Sequence, residues 1–333
     1  MKNKVLINFW IPPEVENALG GRIEAVYPGE AVAGVYTPDE LKKLLPEADA
    51  VVLNTEEFGK EMIDLGAGLK AIGRNGVGCD SIDCEYAASR GIAVINSPTA
   101  VTQPTAELTV GIMLDIARRL TFLDKKLRRD RRCILMPSYE TISTSLFGKT
   151  LGIVGYGRIG RAVAVKAHGL GMRIMYDDPI PEPPEAEVFV GARKVGREEL
   201  IRAADFVTIH CPYLPENHHL INDKTLSMMK PTAYLINASR GKMVDEAALV
   251  RALKAKIIKG AALDVYEMEP EVSPELLDMD NVVLVPHVGT WSYDSRVAMM
   301  HEVLAGIRDY LDGKTPFNIF NRDDLGKYGK KRS

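Results

Sequence analysis

The chain has 333 residues, 46% of them hydrophobic and 26% charged, and a net charge of −3. That length suits two domains better than one core, and the acidic balance argues against general nucleic-acid binding, which needs a broad basic surface. No apolar run approaches the roughly 18 residues that cross a bilayer, and the four cysteines lack CxxC spacing, so reduced thiols, no metal site and a cytoplasmic setting are expected.

Met1–Lys4 is basic and Val5–Ile7 apolar, but Pro12 and Pro13 follow soon and no cleavage-like site appears. This start predicts a first strand, not a signal peptide. Strands are predicted at Val5–Phe9, Ala50–Leu53, Lys70–Gly73 and Ala93–Ile95, with helices at Asp39–Leu45, Gly59–Leu65 and Ile82–Arg90 between them. Such alternation marks a parallel sheet faced with helices. Cys79 and Cys84, with Asp80 and Asp83 between them, read as ordinary thiols. A long helix is predicted from Val101 to Arg129. Its end merges into Arg118–Arg132, where eight Lys/Arg and two Asp give +6 over fifteen residues. That run reads as a solvated helix end, the alternative being a dock for an acidic partner.

A second series of strands follows at Thr150–Val154, Arg173–Tyr176, Phe206–Ile209, Ala233–Ile236, Ala261–Leu263 and Val282–Val285. Helices are predicted at Arg158–Leu170, Glu198–Ala203, Glu246–Lys254 and Ser292–Leu311. Pro179–Pro184 reads as a surface loop, and the charged tail Asp323–Ser333 as frayed. The fold class is therefore α/β, with two successive parallel-sheet units.

Gly155-Tyr156-Gly157-Arg158-Ile159-Gly160 stands between a strand and a helix, the context the G-x-G-x-x-G fingerprint requires. Gly155 allows the tight turn, Gly157 lets a pyrophosphate approach the backbone, and Gly160 brings the helix close to the strand; the helix N-terminus attracts the phosphates. Asp177 and Asp178 end the next strand. A carboxylate there bonds ribose hydroxyls and repels a 2′-phosphate, which favours NAD over NADP. Asp178, immediately before Pro179, is the preferred ribose ligand.

The polar residues that choose a reaction come later. Arg240 follows one predicted strand, Glu269 stands 29 residues on, and His287 a further 18. Each lies beyond the carboxyl end of a strand, where open α/β sheets bind ligands. With Arg74-Asn75-Gly76-Val77-Gly78, Asn237-Ala238-Ser239-Arg240-Gly241, Val244–Leu249, Gly260–Tyr266, Glu269-Pro270 and Pro286-His287-Val288-Gly289, the chain resembles the D-isomer-specific 2-hydroxyacid dehydrogenases. That family includes phosphoglycerate, glyoxylate/hydroxypyruvate and D-lactate dehydrogenases. The matching segments run from about residue 70 to 300.

The resemblance implies a catalytic trio. His287 would give a proton to the ketone oxygen in reduction and take it in oxidation. Glu269 would orient the imidazole and stabilise its charged form. Arg240 would hold the substrate carboxylate in its planar fork. It further implies cofactor contacts at Arg158, Ile159, Thr105, Cys211, Ala238, Ser239, Asp264 and Gly289, with Asp264 orienting the nicotinamide carboxamide. Substrate contacts would come from Asn75, Gly76 and Val77. Arg74 reads either as a binder of a second anionic group or as a structural arginine. His210, His218 and His219 read as structural.

The architecture so implied is a flavodoxin-like substrate domain, residues 1–101 and 289–333, and a Rossmann NAD-binding domain, residues 102–288, with a cleft between them. The family resemblance also implies a homodimer, with the long helix as its expected contact. The segment Cys133–Leu146 and the pair Trp291 and Tyr293, near His287 in the sequence, depart from common family patterns, so a direct transfer of phosphoglycerate specificity is not expected. With no further residues beyond Ser333, the C-terminal regulatory domain of some phosphoglycerate relatives is not expected. Rival readings are phosphite oxidation by the same residue types, and an NAD-sensing corepressor-like binding protein.

Overall fold

Strands buried on both faces read as continuous apolar runs, and Val5–Ile7, Ala50–Leu53 and Ala93–Ile95 have that character. In the computed structural model, which describes residues 2–18, 23–29, 34–138, 140–180 and 188–329, they join one sheet. Its strands are β1 (Asn3–Ile7), β2 (Ile23–Val26), β3 (Ala50–Leu53), β4 (Ala71–Arg74) and β5 (Ala93–Ile95). All pair in parallel, in the order β2-β1-β3-β4-β5, which is the flavodoxin-like order.

Residues 1–101 and 290–333 make up this first unit. The helix Tyr293–Leu311 buries Met300, Val303, Leu304 and Ile307 against Val5, Ile7 and Val52. It lies so close to β4 that a Cβ on Gly73 would stand 2.7 Å from Val303 and 2.8 Å from Ile307. The tail differs from expectation. Arg322–Gly329 is helical, with Asp323 and Asp324 favouring its N-terminus, and Asn321 anchors it through bonds of 3.1 Å to the carbonyls of Cys84 and Ile92. Residues 330–333 lie outside the described residues.

The second unit, residues 102–289, contains β6 (Thr150–Val154), β7 (Arg173–Asp177), β8 (Arg193–Lys194), β9 (Phe206–Ile209), β10 (Tyr234–Asn237), β11 (Gly260–Leu263) and β12 (Val282–Leu284). The order β12-β11-β10-β9-β6-β7-β8 is again all parallel. It is the dinucleotide-binding order with one further strand, and the chain reverses direction across the sheet between β6 and β9.

The long helix expected over Val101–Arg129 is broken in two, Thr102–Arg118 and Leu120–Asp130. Arg119 takes a left-handed φ of 56°. The carboxylate of Asp115 accepts the Thr121 N–H at 2.8 Å, and the Arg119 guanidinium lies over the Phe122 ring at 4.1 Å. These local bonds compete with helix continuation. The first helix buries Ile112, Met113 and Ile116, while the second buries none of its residues. Its basic side chains pair along the helix, Lys126 with Asp130 and Arg128 with Asp124, each at 2.8 Å. Of Pro179–Pro184, residues 181–184 lie outside the described residues. Among the described residues no helix is long and apolar enough to cross a membrane.

Candidate active site

The fingerprint turn joins β6 to the helix Arg158–Gly169. Gly155 has φ +91°, and a Cβ on it would meet the Cys211 backbone nitrogen at 2.4 Å. At Gly160 a Cβ would stand 2.2 Å from the Gly155 carbonyl oxygen. Both positions therefore require glycine for packing within the protein. Gly157 is different: it is exposed, it caps the helix, and a Cβ there would meet nothing within 4 Å. The turn leaves open space at the positive end of a helix, which fits a dinucleotide pyrophosphate. Arg158 is exposed beside it and Ile159 is half-buried against the core.

At the end of β7 the two acids are both engaged. One Asp178 carboxylate oxygen accepts the Tyr156 N–H at 2.7 Å and the other accepts the Ile180 N–H at 2.8 Å. Asp178 thus ties itself to the fingerprint turn. Asp177 instead pairs with Arg197 at 2.7 Å.

The other chemistry-bearing residues follow strands on the opposite side of β6. Arg240 lies after β10, where the Asn237 side chain donates to its carbonyl at 3.0 Å and its own guanidinium donates to the Ser239 carbonyl at 2.8 Å. Ser239 donates its hydroxyl to the Cys211 carbonyl at 2.7 Å, so the loops after β9 and β10 are stitched together. Ala238 is buried beside them, and burial pushes the Cys211 thiol up to about 11.

Glu269 follows β11 and His287 follows β12. His287 Nδ1 is 2.9 Å from one Glu269 oxygen, and the other accepts the Tyr266 N–H at 2.9 Å. Burial opposes the charge on Glu269, but His287, the Tyr266 N–H and Arg240 outweigh it and hold the carboxyl below its ordinary value. His287 itself adopts a left-handed φ of 54°, a conformation uncommon outside glycine and frequent at functional sites. Its N–H donates to the Asp264 carbonyl at 2.8 Å.

Asp264 is 1% exposed, and its two oxygens accept the N–H groups of Val288 at 2.6 Å and Gly289 at 3.0 Å. Burial nevertheless pushes its carboxyl up to about 6. Thr105, at the start of the helix Thr102–Arg118, lies under Gly289, 3.6 Å from where a Cβ would stand. Strands in a sheet are spaced by about 4.8 Å. The acids after β7 and the loop after β11 therefore flank the fingerprint at about 5 Å and about 14 Å on opposite sides, a layout that suits an extended dinucleotide along this edge.

In the first unit, the segment Arg74–Gly78 follows β4. Asn75 and Gly76 spend their N–H groups on the carbonyls of Leu53 and Arg74, both at 2.8 Å. The N–H groups of Val77 and Gly78 donate no hydrogen bond among the described residues. Arg74 braces the loop, donating to the carbonyls of Gly78 at 2.8 Å and Asn75 at 3.1 Å. Of the expected donors Asn75, Gly76 and Val77, only Val77 keeps its N–H without an acceptor among the described residues, and Gly78 joins it. The hydroxyl of Tyr293 is taken by Glu14, while Trp291 is largely exposed.

Sequence reasoning also missed a second histidine–glutamate pair. His219 Nε2 is 2.5 Å from Glu267, whose N–H donates to Glu246 at 2.6 Å, while the Glu246 N–H donates back to Glu267 at 3.1 Å. This clamp fixes the segment that carries Glu269. Residues 21 and 48 positions apart compose it, so no local motif announces it. His210 is half-buried beside Thr208, and desolvation pushes its imidazole down to about 3.

Residues 110–289 match the family model of the NAD-binding domain of D-isomer-specific 2-hydroxyacid dehydrogenases. A glyoxylate reductase of Thermococcus litoralis is 40% identical over 98% of this chain and 98% of its own. Among solved structures, a glyoxylate reductase from Paecilomyes thermophila superposes with a TM-score of 0.85 at 28% identity, over 96% of this chain and 99% of that one. An NADPH-dependent glyoxylate/hydroxypyruvate reductase from Sinorhizobium meliloti, in complex with NADP and malonate, superposes with a TM-score of 0.79 at 31% identity, over 93% and 94%.

Proposed function

The chain belongs to the D-isomer-specific 2-hydroxyacid dehydrogenases, NAD(P)-dependent oxidoreductases, and from that premise we propose that it interconverts a short 2-oxo acid and the corresponding D-2-hydroxy acid. The observation that carries this reading is the 2.9 Å bond between His287 Nδ1 and Glu269, on a loop held in a left-handed conformation. With Nδ1 engaged, Nε2 is the nitrogen left to exchange a proton with substrate. In reduction His287 gives that proton to the carbonyl oxygen at C2; in oxidation it takes the proton of the hydroxyl. The charge that appears on the ring in the second case is stabilised by Glu269.

Arg240 holds the substrate carboxylate in its planar fork. The nicotinamide, when bound, supplies or accepts the hydride. Gly155, Gly157, Arg158, Ile159 and Gly160 would hold the pyrophosphate, Asp178 the adenosine ribose, and Asp264 the carboxamide end with Thr105, Cys211, Ala238, Ser239 and Gly289 around it. Asp178 favours NAD by facing the 2′ position with a carboxylate. The working form is a cytoplasmic homodimer, in which the exposed Leu120 and Leu127 of the helix Leu120–Asp130 are covered by a second copy.

The test is consumption of NADH and NADPH with a panel of acids: glyoxylate, pyruvate, hydroxypyruvate and 2-oxobutanoate. Turnover with at least one acid, with D-stereochemistry in the product and NADH preferred, is the expected result. Inertness toward every acid alongside tight NADH binding would overturn the assignment in favour of a sensor. A monomeric mass by light scattering would overturn the dimer.

A further inference from the structure

Cys79 and Cys84 take no part in the chemistry above, yet they form a cluster of their own within the first unit. Cys79 follows the loop Arg74–Gly78, and Cys84 opens the helix Cys84–Ser89. A turn folds the chain back between them: the Ile82 N–H donates to the Cys79 carbonyl at 3.0 Å, and the Cys84 N–H to the Ile82 carbonyl at 2.8 Å. The Cys84 thiol thereby reaches the Cys79 carbonyl at 3.8 Å, while the Cys79 thiol donates weakly to the Val77 carbonyl at 3.9 Å. The two sulfurs stand within hydrogen-bonding reach of each other, and both are free thiols.

The pair is unequal. Cys79 is 4% exposed, and the Cys84 sulfur and burial hold its proton in place against the field of Arg74. Cys84 is half-buried, open to small solutes. The Cys79 thiol holds it below its ordinary value, against burial and the carboxylates of Asp83, Asp80 and Asp324. An accessible sulfur with thiolate character beside a second, protonated thiol is what separates redox-active cysteines from inert ones. Neither of the other cysteines has a second thiol as partner among the described residues. Cys211 contacts the Met243 sulfur at 3.7 Å and is held up at about 11 by burial, and Cys133 is exposed.

We propose that Cys79 and Cys84 are a modification site, a dithiol that hydrogen peroxide converts to an intrachain disulfide. The Cys84 thiolate attacks one peroxide oxygen, the O–O bond breaks, and the departing hydroxide takes up a proton to leave as water. Cys84 is then a sulfenic acid. The Cys79 sulfur attacks the Cys84 sulfur, the S–S bond forms as the S–O bond breaks, and the Cys79 proton leaves with the hydroxyl as a second water. Two thiols have lost two electrons and two protons, and the peroxide has become two waters. Capture by Cys79 keeps Cys84 from the irreversible sulfinic stage, and a dithiol reductant restores the pair by exchange. The disulfide removes the thiol bond to the Val77 carbonyl, so the redox state reaches the loop Arg74–Gly78. The site stands independently of the reaction proposed for the enzyme.

Trypsin releases residues 75–90 as one peptide, which carries both cysteines and neither of the others. The whole protein is treated with hydrogen peroxide, alkylated in denaturant and digested. The expected peptide is lighter by two hydrogens and unalkylated, dithiothreitol restores both alkylation sites, and Cys211 stays alkylatable throughout. In Cys79→Ser the oxidised Cys84 persists as a sulfenic acid that dimedone traps; in Cys84→Ser the Cys79 thiol survives the same treatment. Should either variant fail to fold, the wild-type peptide and the other variant decide. Both thiols remaining alkylatable in the wild type, Cys84 passing to the sulfinic acid without a link, or oxidation of Cys211 at an equal rate overturns the assignment.

Discussion

Gly157→Ala separates binding from folding. The residue has φ −71° and ψ −160°, extended backbone open to any side chain, and its added Cβ would meet no protein atom within 4 Å. Stability should shift by no more than about 1 kcal/mol, and can rise because the unfolded chain loses freedom. The methyl would, however, stand at the helix N-terminus, where the pyrophosphate must approach the backbone. Losing one such charge-assisted N–H bond costs about 1.5–3 kcal/mol, or about 10- to 100-fold in NADH affinity. Gly160→Ala is the counterpart, because its Cβ would lie 2.2 Å from the Gly155 carbonyl oxygen and must break the turn itself. Fluorescence titration with NADH and calorimetric melting of both variants provide the check. Gly157→Ala binding NADH like the wild type, or melting as early as Gly160→Ala, would refute the reasoning.

His287→Asn should lower turnover by about 10²–10⁴-fold with NADH affinity kept; a defect confined to KM would contradict its role as acid and base. Gly241→Ala would bring a methyl to 1.8 Å from the Tyr266 carbonyl oxygen, pushing the Arg240 loop from the loop that orients Glu269. A shift of about 1 Å there costs about 10²-fold in kcat, with a lower melting temperature, and wild-type kinetics would exclude this coupling. His210, held near 3 by burial against an ordinary 6.5, binds a proton more weakly folded than unfolded. Its contribution is therefore present above pH 6.5 and is lost as pH falls towards 3, by about 2 kcal/mol between pH 7.5 and 5. Denaturant titrations of wild type and His210→Gln should differ by that slope, and parallel pH profiles would rule it out.

The two parallel sheets were legible because each strand is a short apolar run between polar turns, and Ala50–Leu53, Ala93–Ile95, Thr150–Val154 and Phe206–Ile209 have the limits expected. The elements missed are those whose stability comes from elsewhere in the chain. Ile23–Val26 is an edge strand against β1, and Arg193–Lys194 is a two-residue edge on β7 with both side chains exposed. The first is four residues long with only Ile23 buried, and the second has no apolar residue, so neither gives a run long enough to read. The helix Arg322–Gly329 has few apolar residues, and what marks its position is Asn321, bonded to carbonyls more than 200 residues away. Arg119 shows the converse limit, since helical periodicity runs through a residue that local hydrogen bonds turn out of the helix.

The site divides along the same line. Residues that must lie at strand ends were readable from spacing, because a strand's end fixes where the following side chain emerges. Which donors are free depends on contacts that spacing does not encode. Asn75 and Gly76 lost their N–H groups to Leu53 and Arg74, leaving Val77 and Gly78, and Arg74 turned inward onto the loop. The Glu269 loop likewise depends on Glu246, Glu267 and His219, and on the absence of a side chain at Gly241. Arg240 and Glu269 are thus adjusted as one assembly. A substitution at Gly241 touches neither side chain, yet should disturb both, and that is how a backbone contact between loops comes to govern chemistry at their tips.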